Sequence, residues 1–452
     1  STVAASSGDV IESGHADDNS VVAGTVTATG QLTASDVDAN DDATNQTWTV
    51  TSPLVGTYGS IAITAAGVWT YTLDNSAGSA ADVLDEGDVV TDSFTVQVAD
   101  GHGGVATQTV TVTINGTNDK PTIDAANTVV AGTVTESGLT PAGAAEAGTP
   151  SASGQLATLD VDAGASTQTW NVQGTPSTTY GSFAVDGNGL WTYTLDNSLV
   201  ATQALDVTDQ VTQSYTVRVT DDFGAYVDQT VVITINGTND VPVITSTVAA
   251  SSGDVIESGH ADDGTAVAGT AVATGQLTAS DVDAEDNAGN QTWSLDGVPS
   301  ATYGSFAINA SGEWTYTLNN SLAATQALDE GDEVTETFAV QVADGNGGVA
   351  TQSVNVTITG TNDVPVITNN AAALAGAVTE SGLTPAGAAE AGTVTATGTL
   401  SASDVDTDAT QAWSVQGANS TTYGSFSVDP ATGVWTYTLD NSLVATQALD
   451  VT

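Results

Sequence analysis

The sequence predicts an all-β protein built as a tandem array of Greek-key β-sandwich domains. Alternating β-branched residues, as in Phe94 to Val98 and Val110 to Ile114, are typical of half-buried antiparallel strands. Clusters of Gly, Asp and Asn interrupt such runs about every ten residues, which favours a sandwich over an α/β fold. The helical signal is limited to residues 199–205, a turn or two.

Four copies of one unit account for the length of 452 residues. The motif Trp-Thr-Tyr-Thr-Leu begins at Trp69, Trp191, Trp314 and Trp435, at intervals of about 120 residues, the size of an independent domain. Ser1 to Asp18 reappears unchanged at Ser246 to Asp263, which indicates that a two-domain block was duplicated. We therefore expect domains at residues 1–120, 121–241, 242–364 and 365–452.

The fourth copy is incomplete in this sequence, because nothing follows that corresponds to the last two strands of the other copies. A sandwich without those strands would expose the side chains of Trp413, Phe426, Trp435 and Tyr437 and leave strand edges unpaired. We expect the natural chain to continue beyond Thr452, or a partner molecule to supply the missing strands.

The composition excludes several classes of protein. There are 54 acidic and 2 basic residues, a net charge of −52, and no cysteine. The two cations, Lys120 and Arg218, are too few to bind nucleic acid or an anionic membrane surface. Disulfides and thiolate metal sites are excluded, and no apolar run of about eighteen residues occurs that could span a bilayer. A hydrophobic content of 40% with eight tryptophans indicates a folded chain rather than a disordered one.

Carboxylates concentrate between the strands and at the ends of the repeats. Four motifs recur: Glu-Ser-Gly near the start, Asp-Val-Asp, an Asp after the sixth strand, and Asn-Asp just before a proline. Their acidic and amide residues are Glu12, Glu136, Glu257, Glu380; Asp36, Asp38, Asp160, Asp162, Asp281, Asp283, Asp404, Asp406; Asp100, Asp221, Asp344; and Asn118, Asp119, Asn239, Asp240, Asn362, Asp363. Clustered oxygen ligands without cysteine select a hard cation, and Ca²⁺ suits best because it accepts about six to eight oxygens in loose geometry.

Other polar residues have simpler interpretations. Acidic residues without a counterpart in every repeat serve turns and keep the surface solvated; these are Asp41, Asp42, Asp286 and Asp408. The three histidines, His15, His102 and His260, are interpreted as exposed loop residues without a catalytic partner. The Asp-Val-Asp pair does not predict a glycosidase, which needs carboxylates flanking a sugar-shaped cleft. The Trp and Tyr of the Trp-Thr-Tyr strands are expected in the core rather than stacked on sugars. No catalytic residue is predicted.

These motifs resemble the cadherin-like family and, among bacterial proteins, the VCBS repeats of large RTX-type adhesins. Ala34 to Asp38 is similar to the cadherin Ala-x-Asp-Ala-Asp loop, and Phe426 to Val434 to the strand–turn–strand that follows it. Leu73-Asp74 resembles the start of the Leu-Asp-Arg-Glu motif. Val96 to Gly101 resembles the penultimate strand, and Thr117 to Pro121 resembles the linker. The resemblance covers three complete repeats and most of the fourth.

The resemblance implies that each junction binds calcium between two neighbouring repeats. The first junction would use Glu12, Asp74, Asn118 and Asp119 with Asp160, Asp162 and Asp221. The second would use Glu136, Asp196, Asn239 and Asp240 with Asp281, Asp283 and Asp344. The third would use Glu257, Asn362 and Asp363 with Asp404 and Asp406. The sequence departs from the family pattern at Asn75-Ser76, Gly116 and Asn319, so we expect the third junction to be the weakest.

The function that follows is a non-catalytic, rod-like, calcium-stiffened extender of a secreted or surface-exposed bacterial adhesin or biofilm-matrix protein. Extracellular calcium modules have dissociation constants of about 10⁻⁴ to 10⁻³ M. The expected partners are neighbouring repeats of the same chain. One alternative is a self-assembling extracellular filament or surface-layer subunit, whose fourth domain is completed by another copy of the chain through strand addition. A third hypothesis is a lectin-like module that binds glycans directly.

Overall fold

The computed structural model describes residues 5–38, 44–162, 167–261, 263–286 and 289–449. The chain divides into two compact units, Ser1–Asp240 with Val282–Ala284, and Val241–Asp281 with Glu285–Thr452. The first unit holds the copies marked by Trp69 and Trp191, here called repeats 1 and 2. The second holds nearly all of the copies marked by Trp314 and Trp435, repeats 3 and 4.

Repeat 1 is a sandwich of a four-stranded sheet, β1-β9-β8-β5, and a three-stranded sheet, β4-β7-β6, with the small hairpin β2-β3 beside them. Its strands are β1 (Ser7–Ile11), β2 (Gly14–His15), β3 (Val21–Val22), β4 (Thr27–Gln31), β5 (Thr47–Val50), β6 (Gly59–Ile63), β7 (Val68–Leu73), β8 (Val89–Ala99) and β9 (Val105–Asn115).

Repeat 2 has the same two sheets, ordered β11-β20-β19-β16 and β14-β18-β17, and adds the two-stranded ladders β10-β15 and β12-β13. Its elements are β10 (Thr122–Ile123), β11 (Ala131–Thr135), β12 (Gly138–Leu139), β13 (Ala145–Glu146), β14 (Ser151–Gln155), β15 (Thr158–Leu159), β16 (Thr169–Val172), β17 (Gly181–Val185), β18 (Leu190–Leu195), α1 (Val200–Gln203), β19 (Gln210–Thr220) and β20 (Tyr226–Asn236). The short helix α1 lies within the predicted helical turn.

Repeat 3 again has a four-stranded sheet, β22-β31-β30-β27, and a three-stranded sheet, β25-β29-β28. Its strands are β21 (Val243–Ile244), β22 (Ser252–Ile256), β23 (Gly259–His260), β24 (Ala266–Val267), β25 (Val272–Gln276), β26 (Ala279–Ser280), β27 (Thr292–Leu295), β28 (Gly304–Ile308), β29 (Glu313–Leu318), β30 (Glu333–Ala343) and β31 (Val349–Thr359). A 3₁₀ helix at Val248–Ser251, capped by the Thr247 side chain, was not predicted.

In the described part of repeat 4, the three-stranded sheet β35-β38-β37 has no four-stranded sheet packed against it. The strands are β32 (Val366–Ile367), β33 (Gly382–Leu383), β34 (Ala389–Glu390), β35 (Thr395–Thr399), β36 (Ala402–Ser403), β37 (Gly424–Val428) and β38 (Val434–Leu439). Trp413, Phe426 and Tyr437 are half-buried. The expectation that Trp435 would be exposed is wrong: it is 6% exposed, because the segment around Gly376 covers its ring and Ala373 O accepts its indole N–H.

The strands predicted from alternating apolar residues bury one face and leave the other less buried, as expected. Phe94, Val96 and Val98 of β8 are buried while the residues between them are not, and β8 pairs antiparallel with β9 over its whole length. One pairing was not predicted. Strand β1 runs parallel to β9, with Val10 opposite Ile114, and repeats 2 and 3 share this feature. In each complete repeat the first and last strands of the four-stranded sheet therefore lie side by side and bring their following loops to one end of the sandwich.

The tryptophan of the repeated motif fills the middle of each sandwich. In repeat 1, Trp69 and Tyr71 are fully buried, and the Trp69 indole N–H donates to Ala5 O at 2.9 Å. A Cβ on Gly30, opposite Trp69 in the sheet, would lie 2.5 Å from the indole nitrogen, so only glycine fits. Burial of these aromatic side chains confirms the expectation that they pack in the core rather than present a sugar-binding platform.

Candidate metal centre

At the C-terminal end of repeat 1, three carboxylates converge. Glu12 follows β1, Asp119 follows β9, and Asp82 lies in the connection between β7 and β8. One oxygen from each lies within 4.8 Å of the others. Because β1 and β9 are parallel neighbours, their exits place Glu12 beside the linker, where Thr117 N donates to Glu12 Oε2 at 3.3 Å.

Repeat 2 contributes the other side of this first junction. Asp119 N donates to Asp162 Oδ2 at 2.7 Å, and Asn118 Nδ2 donates to Asp221 Oδ2 at 3.1 Å. Asp160, two residues before Asp162, is half-buried and accepts from Gln168 Nε2. The structure thus brings together every predicted ligand of this junction except Asp74.

Several carboxylates of the first junction are buried or half-buried close to one another. Glu12 is 0% exposed, and its Oε1 has no hydrogen-bond donor among the described residues; the same holds for Asp162 Oδ1. Desolvation, reinforced by the neighbouring Asp119 and Asp162, raises the pKa of Glu12 to about 8. Desolvation also raises the pKa of Asp162 to about 7, and raises the pKa values of Asp119 and Asp160. Such a group of anions needs protons or a cation to be stable.

The Asp-Val-Asp motif of repeat 1 lies in a different environment. In repeat 1, Asp36 and Asp38 are exposed, and Asp38 N donates back to Asp36 Oδ1. Asp100 accepts from the backbone of His102 and Gly104, which lowers its pKa. The motif by itself therefore does not bury its carboxylates, whereas Asp162 is buried where it accepts from Asp119 N of the linker.

At the end of repeat 2, Glu136 occupies the position that Glu12 has in repeat 1. Glu136 is fully buried, desolvation raises its pKa to about 8, and its Oε2 accepts from Thr238 N. Asn239 is also fully buried. Asp240 N donates to Oδ2 of Asp283, which belongs to the first unit, at 2.6 Å.

The third junction lies within the second unit. Glu257 is fully buried with a pKa raised to about 7 by desolvation, and Asp363 N donates to Asp406 Oδ2 at 2.6 Å. Asp363 Oδ2 and Asp406 Oδ1 are buried without a donor among the described residues. Asn362 and Asp404 are half-buried beside them in sequence.

Repeat 3 also contains a group of three carboxylates, one of which, Asp286, the sequence did not indicate as a member. Asp281, Asp286 and Asp344 each offer an oxygen within 4.8 Å of the others. The interpretation of Asp286 as a solvated turn residue is wrong, since it is 2% exposed and accepts from Asn346 Nδ2. Asp408 is an exposed turn residue with a positive φ, as expected. Asp41 and Asp42 lie outside the described residues.

Two predicted ligands, Asp74 and Asp196, are not brought to the buried groups. Both are exposed and bind their own turns: Asp74 Oδ1 accepts from the N–H and the hydroxyl of Ser76, and Asp196 does the same with Ser198. These hydrogen bonds lower both pKa values. Asn319 accepts from Ser321 in the same way.

Two acidic residues that the sequence reasoning missed, Asp82 and Asp85, lie further along the same β7–β8 connection as Asp74. Asp82 has no acidic counterpart in the other repeats, so repetition of a carboxylate could not find it. Asp85 could have been found from repetition, because the pair Leu-Asp recurs at Leu84-Asp85, Leu205-Asp206 and Leu328-Asp329. Desolvation and nearby Asp222 and Asp160 raise the pKa of Asp85, and Asp206 is 4% exposed.

The expectation of exposed loop histidines holds only for His102. His15 and His260 are half-buried and lie in the short strands β2 and β23. His15 N donates to Asn118 O at 2.6 Å, and its Nδ1 lies 3.7 Å from Asp119 Oδ1. The β2-β3 hairpin thus packs on the linker that carries the metal motif, which the sequence alone did not indicate.

Comparison with known proteins gives a consistent result. The model of the bacterial cadherin-like domain matches residues 5–116, 118–237 and 239–360. Similar solved structures include the protocadherin gammaB4 extracellular domain (15% identity, TM-score 0.43, 96% of this chain and 61% of that one). They also include protocadherin gamma B2 extracellular domains 1–5 (14%, 0.45, 98% and 74%) and mouse cadherin-23 EC22–24 (16%, 0.38, 79% and 96%).

This chain therefore spans less than two thirds of the protocadherin gammaB4 chain. The comparison with curated protein sequences finds no match. Neither helix in the described residues has the length and hydropathy needed to cross a bilayer. With three successive matches that together cover most of its length, the chain belongs to the bacterial cadherin-like domain family.

Proposed function

We propose that the chain is a calcium-stiffened extender region of a secreted or surface-exposed bacterial adhesin or biofilm-matrix protein, with a non-catalytic role. The observation that carries the proposal is the first junction, where buried carboxylates of two repeats lie close together. Within the described part of the chain, Glu12 Oε1 and Asp162 Oδ1 have no donor. A bound cation would give these oxygens a partner and would join the two repeats at once.

Calcium fits the residues present better than other cations do. The proposed ligands at the first junction offer only oxygen atoms: Glu12, Asp82, Asn118, Asp119, Asp160, Asp162 and Asp221. Carboxylate and amide oxygens in an irregular group of this size suit a large, hard ion that tolerates loose geometry. At the third junction the corresponding set is Glu257, Asn362, Asp363, Asp404 and Asp406.

When bound, calcium would supply positive charge to carboxylates that otherwise repel one another. The chain's own residues position the set: Thr117 N holds Glu12, and Asp119 N holds Asp162. Because Asp162 and Asp221 belong to repeat 2 while Glu12 and Asp119 belong to repeat 1, neutralising the group would reduce the freedom of the linker between them.

The proposed location follows from the same chemistry. Cadherin-like domains are extracellular modules, and dissociation constants of about 10⁻⁴ to 10⁻³ M suit calcium concentrations outside cells rather than in the cytosol. A net charge of −52 would also keep a long array soluble and apart from its neighbours.

Isothermal titration of the whole chain with calcium tests the proposal. We expect binding with sub-millimolar to millimolar affinity, at least tenfold weaker binding at one site in the variant Asp162→Asn, and no change in Asp38→Asn. Asp38 is the equivalent residue of repeat 1 and is exposed, so it controls for loss of one charge. No heat of calcium binding by the wild-type chain, or equal affinity in Asp162→Asn, would overturn the proposal.

A further inference from the structure

The residue that faces the buried glutamate differs between the repeats. Glu136 and Glu257 each receive a hydrogen bond from a glutamine in the loop before the sixth strand of the sandwich. Gln203 Nε2 donates to Glu136 Oε1 at 2.9 Å, and Gln326 Nε2 donates to Glu257 Oε1 at 3.0 Å. In repeat 1 the equivalent loop supplies Asp82 instead, whose carboxylate approaches Glu12.

The other half of the glutamate environment is the same in all three repeats. Oε2 of Glu12, Glu136 and Glu257 accepts from the backbone N–H of the threonine in the Gly-Thr-Asn-Asp motif. One oxygen of the buried glutamate therefore has the same backbone donor in every complete repeat, and only the surroundings of the other oxygen differ. The second oxygen has an amide donor in repeats 2 and 3, but in repeat 1 none of the described residues donates to it.

Asp82 is held in place to face this oxygen. Gly78 N donates to Asp82 Oδ2 at 2.6 Å, and Asp82 N donates to the Ser79 hydroxyl, so the turn from 78 to 82 orients the side chain. A carboxylate at this position cannot donate a hydrogen bond to a second carboxylate unless one of them is protonated. Full burial of Glu12 makes this pairing costly unless a cation lies between the two side chains.

We propose that Asp82 completes a cation site with Glu12 and Asp119 that is specific to repeat 1, whereas Gln203 and Gln326 satisfy their glutamates internally and take the place of that ion. The array would then contain junctions of unequal calcium dependence. Repeat 1 needs the ion to hold its glutamate, and repeats 2 and 3 keep theirs ordered without it. This inference rests on the proposed function, because it assigns different affinities to sites of that same kind.

Reciprocal exchange of the two side chains in the full chain tests the inference. Asp82→Gln should remove one calcium site or weaken it at least tenfold, and should raise the unfolding temperature of the chain in chelator, since glutamine can donate to Glu12. Gln326→Asp should do the opposite: it should add calcium uptake and lower the unfolding temperature in chelator. Glu86→Gln is the matched control, an exposed carboxylate in the same loop, and should change neither.

Calcium uptake by the wild type and by the two exchange variants distinguishes failure of this inference from failure of the proposed function. Calcium uptake by the wild type that is unchanged in both exchange variants would overturn this inference and leave the proposed function standing. No calcium uptake by the wild type would overturn both. Circular dichroism of each variant in calcium verifies that the exchange has not unfolded the repeat.

Discussion

At the junctions, glutamate side chains are buried beside other carboxylates, and this environment raises their pKa values. Glu12, Glu136 and Glu257 are all fully buried, and desolvation raises their pKa values to about 8, 8 and 7. Each folded-state pKa lies above the value of about 4.5 expected in the unfolded chain. Between these values the folded protein binds more protons than the unfolded one does, so its stability falls as the pH rises.

The first prediction concerns this fall in stability with rising pH. In calcium-free buffer the unfolding temperature of the chain should fall between pH 5.5 and pH 8, because the buried glutamates must lose their protons in this range. In excess calcium the fall should be smaller, since the cation replaces the protons. Differential scanning calorimetry at both pH values, on the wild type and on Glu12→Gln, measures this. The variant should have a shallower fall, and a calcium-free chain that becomes more stable toward pH 8 would refute the assignment.

A second residue-scale prediction concerns a buried acceptor inside the sandwich of repeat 1. Asp92 is 4% exposed and accepts hydrogen bonds from the backbone of Thr57, Tyr58 and Gly59 and from the Tyr71 hydroxyl. Replacing Asp92 with alanine leaves these donors without an acceptor and should cost about 2 to 4 kcal/mol of unfolding free energy in repeat 1.

The other repeats supply the control for this change. Glu336 of repeat 3 accepts from Tyr316 and from Thr302 and Tyr303 N, so Asp92→Glu should retain most of the stability. Urea unfolding of the full chain, followed by tryptophan fluorescence, measures the shift of the first transition. Equal urea midpoints for Asp92→Ala and the wild type would show that the backbone from Thr57 to Gly59 does not depend on the Asp92 carboxylate.

At the scale of elements, the sequence predicted the strands well because burial on one face of a sheet imposes a period of two. The alternation in β8 and β9 is visible in any repeat, and four copies of the Trp-Thr-Tyr strand reinforce it. The parallel pairing of β1 with β9 was not predictable from that pattern. It joins residues more than a hundred positions apart, and a short strand such as Ser7–Ile11 has no local signal for its direction.

The candidate site was predictable to a similar extent and for related reasons. Motifs that recur, such as Asp-Val-Asp, pointed to Asp160 and Asp162, which lie close to Asp119 of the linker in the structure. Two Leu-Asp pairs occur near the β7–β8 connection of repeat 1, at Asp74 and Asp85, and only tertiary packing shows that Asp74 is exposed while Asp85 lies near Asp160. Asp82 occurs once, so its role depends on a contact that no repetition reveals.

An interior strand of the four-stranded sheet of repeat 2 carries an element-scale prediction about proteolysis. Trypsin cleaves after Lys or Arg, and the chain has two such residues. Arg218 lies in β19, its Nε and one terminal nitrogen donate to the two oxygens of Asp228, and its guanidinium lies 3.5 Å from the centre of the Tyr226 ring. Lys120 precedes Pro121, a poor context for cleavage.

The folded chain should therefore resist trypsin, because cleavage at Arg218 requires the strand to leave the sheet. Electrophoresis after digestion in calcium, with Asp228→Ala as the comparison, tests this. The variant loses the ion pair and should be cut sooner at Arg218. Rapid cleavage of the wild type at this position would mean that β19 opens more readily than its pairing indicates.

At the scale of the whole molecule, repetition is the main source of information. Repeats 1 and 3 share histidines in β2 and β23 where repeats 2 and 4 have Leu139 and Leu383. The same alternation appears in the sandwich interior, where a carboxylate binds Tyr71 and Tyr316 but Gln213 binds Tyr193. A duplicated two-domain block thus keeps two slightly different environments, one for each member of the pair.

The central claim is that calcium stabilises this chain by binding carboxylates that folding buries at the junctions. The most direct test is calorimetric unfolding of the full chain in calcium and in chelator at pH 7.5. At a calcium concentration ten to a hundred times the dissociation constant, each site should add about 1.4 to 2.7 kcal/mol, and the unfolding temperature should rise by several degrees. An unfolding temperature that is the same in calcium and in chelator would contradict the account.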